Sequence, residues 1–128
     1  MRRLVAVEGP DDVDTVWERY AVVARWSSWA PPIRSVESSS ERLVAGMTGA
    51  VHGPPGIRVG FVVDAVDEVA HTWRWQVRMG LLRMSLEHAV VATNSGGSAA
   101  MLVVEGPTAP VLLYPPIAQI ALGRLVGR

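Results

Sequence analysis

The sequence predicts one α+β domain over residues 1–128, a seven-stranded, strongly bent antiparallel sheet around a C-terminal helix, with two short helices between the first and second strands. Three observations predict it. Of the 128 residues 49% are apolar, enough for one core at a length typical of one domain. Helical periodicity is confined to residues 11–30 and 108–128. Between Ile33 and Glu105 the chain reads instead as short β-branched runs cut by turn residues, with no helix of useful length.

Met1-Arg2-Arg3 followed by Leu4-Val5-Ala6-Val7 begins like a secretion signal, but Glu8-Gly9-Pro10 ends the apolar part too soon, so a first strand is expected. In residues 11–24, Val13, Val16, Trp17, Tyr20 and Val23 recur at helical spacing behind Asp11, Asp12 and Asp14, which favour a helix start. Trp26 and Trp29 fit one further turn, stopped by Pro31-Pro32. Turns at 38–41, 52–56, 67–68, 80 and 94–97 then cut out strands near 33–38, 42–51, 57–65, 70–79, 81–93 and 98–105. Such short connections pair neighbours antiparallel, as a meander. From Thr108, a candidate N-cap, to Arg128 a closing helix is expected, kinked or delayed by Pro115-Pro116, with Ile117, Ile120, Ala121 and Leu125 on its buried face.

Composition excludes several chemistries. Twelve Arg and no Lys balance twelve Asp and Glu, so Schiff-base and phosphate-loop lysine mechanisms are out and no basic excess points to nucleic acid. Without cysteine there is no disulfide, thiolate nucleophile or cysteine zinc site. The longest apolar stretch, 110–123, is too short and too broken by proline for a membrane span, and a soluble, cytoplasmic protein is expected. His52, His71 and His88 lie 19 and 17 residues apart with no carboxylate at ligand spacing, so neither a metal nor a cofactor is expected. The glycine-rich 49–56 links strands and precedes no helix, which makes it a turn.

The element order resembles the helix-grip fold of the SRPBCC superfamily, which includes START domains, plant pathogenesis-related proteins and polyketide cyclase/dehydrase-like proteins. Val16-Trp17 and Arg25-Trp26-Ser27-Ser28-Trp29-Ala30-Pro31 look like the signature of the bacterial cyclase-like branch. Gly60-Phe61-Val62-Val63-Asp64-Ala65-Val66-Asp67, Trp73-Arg74-Trp75, Leu86-Glu87-His88 and Gly96-Gly97 match it in spacing and type, so the resemblance runs from residue 4 to about 122. It implies a helix held away from the sheet, with room for a cavity. Members of that branch usually carry a longer terminal helix, which implies a pocket left partly open or covered by a second subunit in a homodimer.

Strand alternation locates the cavity face. Trp73, Trp75, Val77 and Met79 share one side of their strand, Leu82, Met84, Leu86, His88 and Val90 one side of the next, and Ile57, Val59, Phe61 and Val63 one side of the strand before. The expected ligand-binding residues are Trp29, Val59, Phe61, Trp73, Trp75, Met84, Leu86, His88, Met101, Ile117 and Ile120. The tryptophans could equally pack a plain core, and the methionines suit either wall. His88 is the one titratable side chain in the inward sets, and three roles stay open for it: a structural group satisfied by the protein, a polar anchor for a ligand, or a weak catalytic candidate. The preferred reading is a protein that binds an apolar or aromatic small molecule such as a lipid, polyketide or isoprenoid. A polyketide cyclase or dehydratase is the first alternative, disfavoured by the lack of an inward carboxylate. A protein-interaction module is the second.

Overall fold

A computed structural model describes residues 1–54 and 56–128, with the side chains of all of these except 109–113. The strands are β1 (Arg2–Gly9), β2 (Ser35–Ser38), β3 (Thr48–Gly53), β4 (Ile57–Asp67), β5 (Thr72–Met79), β6 (Leu82–Ala92) and β7 (Ser98–Glu105). They form one antiparallel sheet in the order β1-β7-β6-β5-β4-β3-β2, so the meander closes by bringing β7 beside β1. The helices are α1 (Val13–Ala21), α2 (Trp26–Trp29) and α3 (Thr108–Leu125). Among the described residues no helix is long and apolar enough to cross a membrane.

Asp12 caps α1, accepting from the Thr15 amide at 3.3 Å and from its hydroxyl at 2.6 Å. That helix ends at Ala21, sooner than the periodicity suggests, because Val22 turns extended and bridges to Arg42 before a 3-10 turn, Val23–Arg25. The third strand also starts later than expected. Arg42 leaves the sheet to hold Glu18 of α1 at 2.7 Å and Glu68 beyond β4, and Gly46 turns the chain at a φ of 88° before β3 begins. Glu68 also accepts from Trp17 Nε1 at 3.0 Å. These bonds, Arg42 first, hold the Glu68 carboxyl down at about 2.

On the sheet, the inward set of β4 runs through Phe61 and Val63, and a bulge at Asp64 then shifts the register so that Val66 faces Trp73. β5 and β6 are joined by a two-residue turn in which Gly80 takes a φ of 60°, leaving Leu81 fully exposed at its tip. The core lies between the concave sheet face, α1–α2 and the second half of α3.

The terminal helix departs from expectation in its cap and in its buried face. Thr108 is its first residue rather than its cap, which is Pro107, and Pro115-Pro116 lie inside it, at the cost of two backbone hydrogen bonds. Its buried face is Ala118, Leu122 and Leu125, continued by its cap Val126; of the expected face Leu125 is buried as expected, while Ile117 is half exposed and Ile120 is 60% exposed. Nearly every residue in this stretch is apolar, so spacing alone cannot choose the inward side. The helix end is pinned by Arg19, which donates to the Leu125 carbonyl at 2.7 Å and pairs with Asp11 at 2.6 Å.

Candidate functional site

A cavity of about 340 Å³ opens between the concave face and the middle of α3. Its back wall is β5 and β6, which present Trp73, Trp75, Val77, Met84, Leu86 and His88 by simple alternation. Trp26, Trp29 and Ala30 close one side, Val51 and Val59 another, and Tyr114, Ala118 and Ala121 cover it from α3. Ile57, Met79, Leu82 and Ile117, each roughly half exposed, ring the mouth.

Of the residues expected to bind ligand, Trp29, Val59, Trp73, Trp75, Met84, Leu86, His88 and Ile117 line this cavity. Three do not. Phe61 is buried beneath the wall, its ring 5.7 Å from that of Trp26 and 5.3 Å from that of Trp75. Met101 sits between the inward-facing Ala100 and Leu102 and so points to the outer face. Ile120 is on the outside of α3. Sequence reasoning missed Trp26, Ile33, Tyr114 and Ala118. Trp26 carried the same aromatic signal as Trp29, whereas nothing local marks Tyr114 as inward.

His88 is 5% exposed and lies in an aromatic shell. Its ring stacks on Trp73 with centroids 4.5 Å apart and planes 10° from parallel. Trp75 Nε1 donates to His88 Nε2 at 3.0 Å, and the Tyr20 hydroxyl lies 3.0 Å from His88 Nδ1. An indole nitrogen can only donate, so Nε2 is the bare nitrogen and Nδ1 carries the hydrogen, which it donates to Tyr20. Burial holds the imidazole neutral by pushing its pKa down to about 3. The expectation of a ring free to orient a ligand is thereby corrected, since both nitrogens are engaged within the protein.

Tyr114 lines the cavity, and its hydroxyl has no hydrogen-bond partner among the described residues; burial raises its pKa to about 12, so it stays a neutral donor. Trp73 Nε1 is also buried without a partner among them. No lining residue carries a charge, and no cluster of metal-ligating side chains occurs among the described residues.

No protein-family model matches the chain, and no curated protein sequence does. Solved structures match closely in shape. A protein from Nitrosospira multiformis superposes with a TM-score of 0.81 at 13% identity, over 98% of this chain and 94% of its own. XoxI from Bacillus cereus gives 0.82 at 13% identity, over 98% and 92%. Ara h 8.0201 gives 0.73 at 17%, over 100% and 99%. DynU16, from the dynemicin biosynthetic locus, gives 0.78 at 18% over 98% of this chain but only 45% of its own length. Seven strands bent around a C-terminal helix, shared over nearly the whole chain with these structures, make this a helix-grip fold.

Proposed function

We propose that the protein binds a neutral, largely apolar small molecule, of lipid, polyketide or isoprenoid character, in the cavity beneath α3. The observation that carries this reading is a cavity of about 340 Å³ whose lining holds no charged residue. That volume is at the lower end of the range for small-molecule sites, roughly 300–1,000 Å³. A carboxylate or phosphate placed there would lose its hydration with no cation to replace it, which selects against anionic ligands. The Tyr114 hydroxyl, without a hydrogen-bond partner among the described residues, supplies one polar anchor. Cyclase or dehydratase chemistry is the weaker reading, because the one imidazole in the wall is fully hydrogen-bonded and kept neutral, and no carboxylate stands beside it to orient or recharge it.

Titration with the neutral dye N-phenyl-1-naphthylamine tests the reading. Saturable binding at one dye per chain is expected, abolished by Ala121→Trp, which fills the cavity from α3. A dye that fails to bind the folded wild-type protein, or binds the filled variant equally well, rejects it.

A further inference from the structure

Antiparallel register brings the starts of β4 and β6 and the end of β5 to the same edge of the sheet, the edge where the cavity opens. Two features meet there. Leu81 stands fully exposed at the hairpin tip, and Ile57, Met79, Leu82 and Ile117 continue its apolar surface into the mouth. On the outer face of the same strand ends stand Arg58, Arg78 and Arg83, all exposed and in no ion pair among the described residues. Arg78 and Arg83 lie directly opposite one another on β5 and β6. Like charges in that position destabilise a hairpin unless an outside anion neutralises them.

The formal net charge of the chain is zero, yet its charges are sorted. Among the described residues, the carboxylates near the mouth edge are engaged elsewhere: Glu105 by Arg2 at 3.2 Å, and Glu37 beside His52 at 3.4 Å. The acidic groups Asp11, Asp12, Asp14, Asp67 and Glu68 gather where α1 begins and β4 ends, at the opposite end of the sheet.

We propose that the mouth edge docks on an anionic lipid bilayer, with Leu81 and its apolar neighbours entering the interface and Arg58, Arg78 and Arg83 meeting the headgroups. Charge complementarity selects this occupant. A second copy related by a two-fold axis would set arginine against arginine, whereas an anionic surface offers many phosphates to all three at once. Apolar side chains flanked by a row of cations are also the arrangement that holds a protein at a membrane interface. The inference rests on the cavity reading in one respect: a ligand sparingly soluble in water resides in the bilayer, and a mouth pressed against the bilayer admits it without passage through water.

Co-sedimentation with vesicles tests it, comparing phosphatidylcholine alone with a phosphatidylglycerol-rich mixture. Binding to the anionic vesicles only is expected, weakening as salt is raised. The Arg78→Glu/Arg83→Glu double variant is expected to bind about tenfold or more weakly, and Leu81→Ser to weaken binding with charge unchanged. Both variants should take up N-phenyl-1-naphthylamine like the wild type, since none of these residues lines the cavity. No binding to anionic vesicles at low salt overturns the proposal, as does binding indifferent to both variants. Self-association abolished by Leu81→Ser, seen by sedimentation without lipid, overturns it in favour of a second copy. Vesicle binding without dye binding keeps the docking surface and rejects the cavity reading.

Discussion

Trp75 on β5 is a diagonal neighbour of His88 on β6, and its indole hydrogen bond to Nε2 fixes which imidazole nitrogen is bare and which carries the hydrogen. A charged ring would have to break that bond, because imidazolium has no lone pair to accept it. Desolvation and geometry therefore push in the same direction, towards a neutral ring.

This makes the protein acid-sensitive in a defined window. The folded ring takes a proton only near pH 3, whereas the unfolded ring takes one near 6.5, so between those values the unfolded state holds more protons. Stability should fall as pH drops below 6.5, by about 1.4 kcal/mol per unit from this group at its steepest. Glu68, depressed to about 2 by Arg42, adds a loss in the same direction below its ordinary value of 4.5. His88→Gln, which can still accept from Trp75 and donate to Tyr20, should melt with a visibly shallower pH dependence between 6.5 and 4.5. Equal slopes for variant and wild type would contradict a buried, neutral His88.

Replacing the Tyr114 hydroxyl should reveal itself in paired ligands of one shape. Fluorenone, with its carbonyl acceptor, should bind several-fold tighter than fluorene, in line with about 1 kcal/mol for one hydrogen bond. Tyr114→Phe should bring the two affinities together without loss of fluorene binding. An unchanged preference in the variant would mean that another donor holds the carbonyl.

Two substitutions on α3 separate its faces. Leu122 is 2% exposed and Leu122→Asp should cost about 3 kcal/mol or more through an unpaired buried charge. Ile120→Asp, on the outer side, should stay within about 0.5 kcal/mol of wild type. Denaturant titration of both variants would show the opposite order if the helix were rotated.

Two glycines should fail for different reasons. A Cβ on Gly97 would lie 2.2 Å from the Gly9 carbonyl oxygen, backbone against backbone, so Gly97→Ala should cost about 2–3 kcal/mol. Gly46 has open space around its Cβ position but a φ of 88°, so Gly46→Ala should cost only about 1 kcal/mol of conformational strain. Thermal melts that rank them the other way would place the strain at the turn.

Local chemistry explains which parts of this architecture could be read from the chain. β7 occupies residues 98–105 as expected because Gly96-Gly97 and Gly106-Pro107 punctuate both ends. The back wall was legible because alternation is regular along β5 and β6. The start of β3 was not, since the pull on Arg42 comes from Glu18 and Glu68, 24 and 26 residues away. Met101 was misplaced because β7 is apolar on both faces, Ala99 to Val104, and composition there does not mark an inside. Tyr20, 68 residues from His88, was read as an ordinary helix-face residue. The pairing that decides His88's role is thus a tertiary event with no trace in local pattern.

The packed indoles also have an optical consequence. Trp73 and Trp75 lie 4.9 Å apart at 39°, and Trp26 sits 5.7 Å from the first and 5.3 Å from the second. Transition dipoles that close and that skewed couple, so the far-ultraviolet circular dichroism of this protein carries an exciton couplet laid over its backbone signal. Helix and strand content fitted from that spectrum will be in error by an amount that Trp73→Phe should reduce, the Trp26–Trp75 pair remaining. The same couplet reports on ligand entry, because the two rings that generate it at closest range form part of the wall that a ligand would touch.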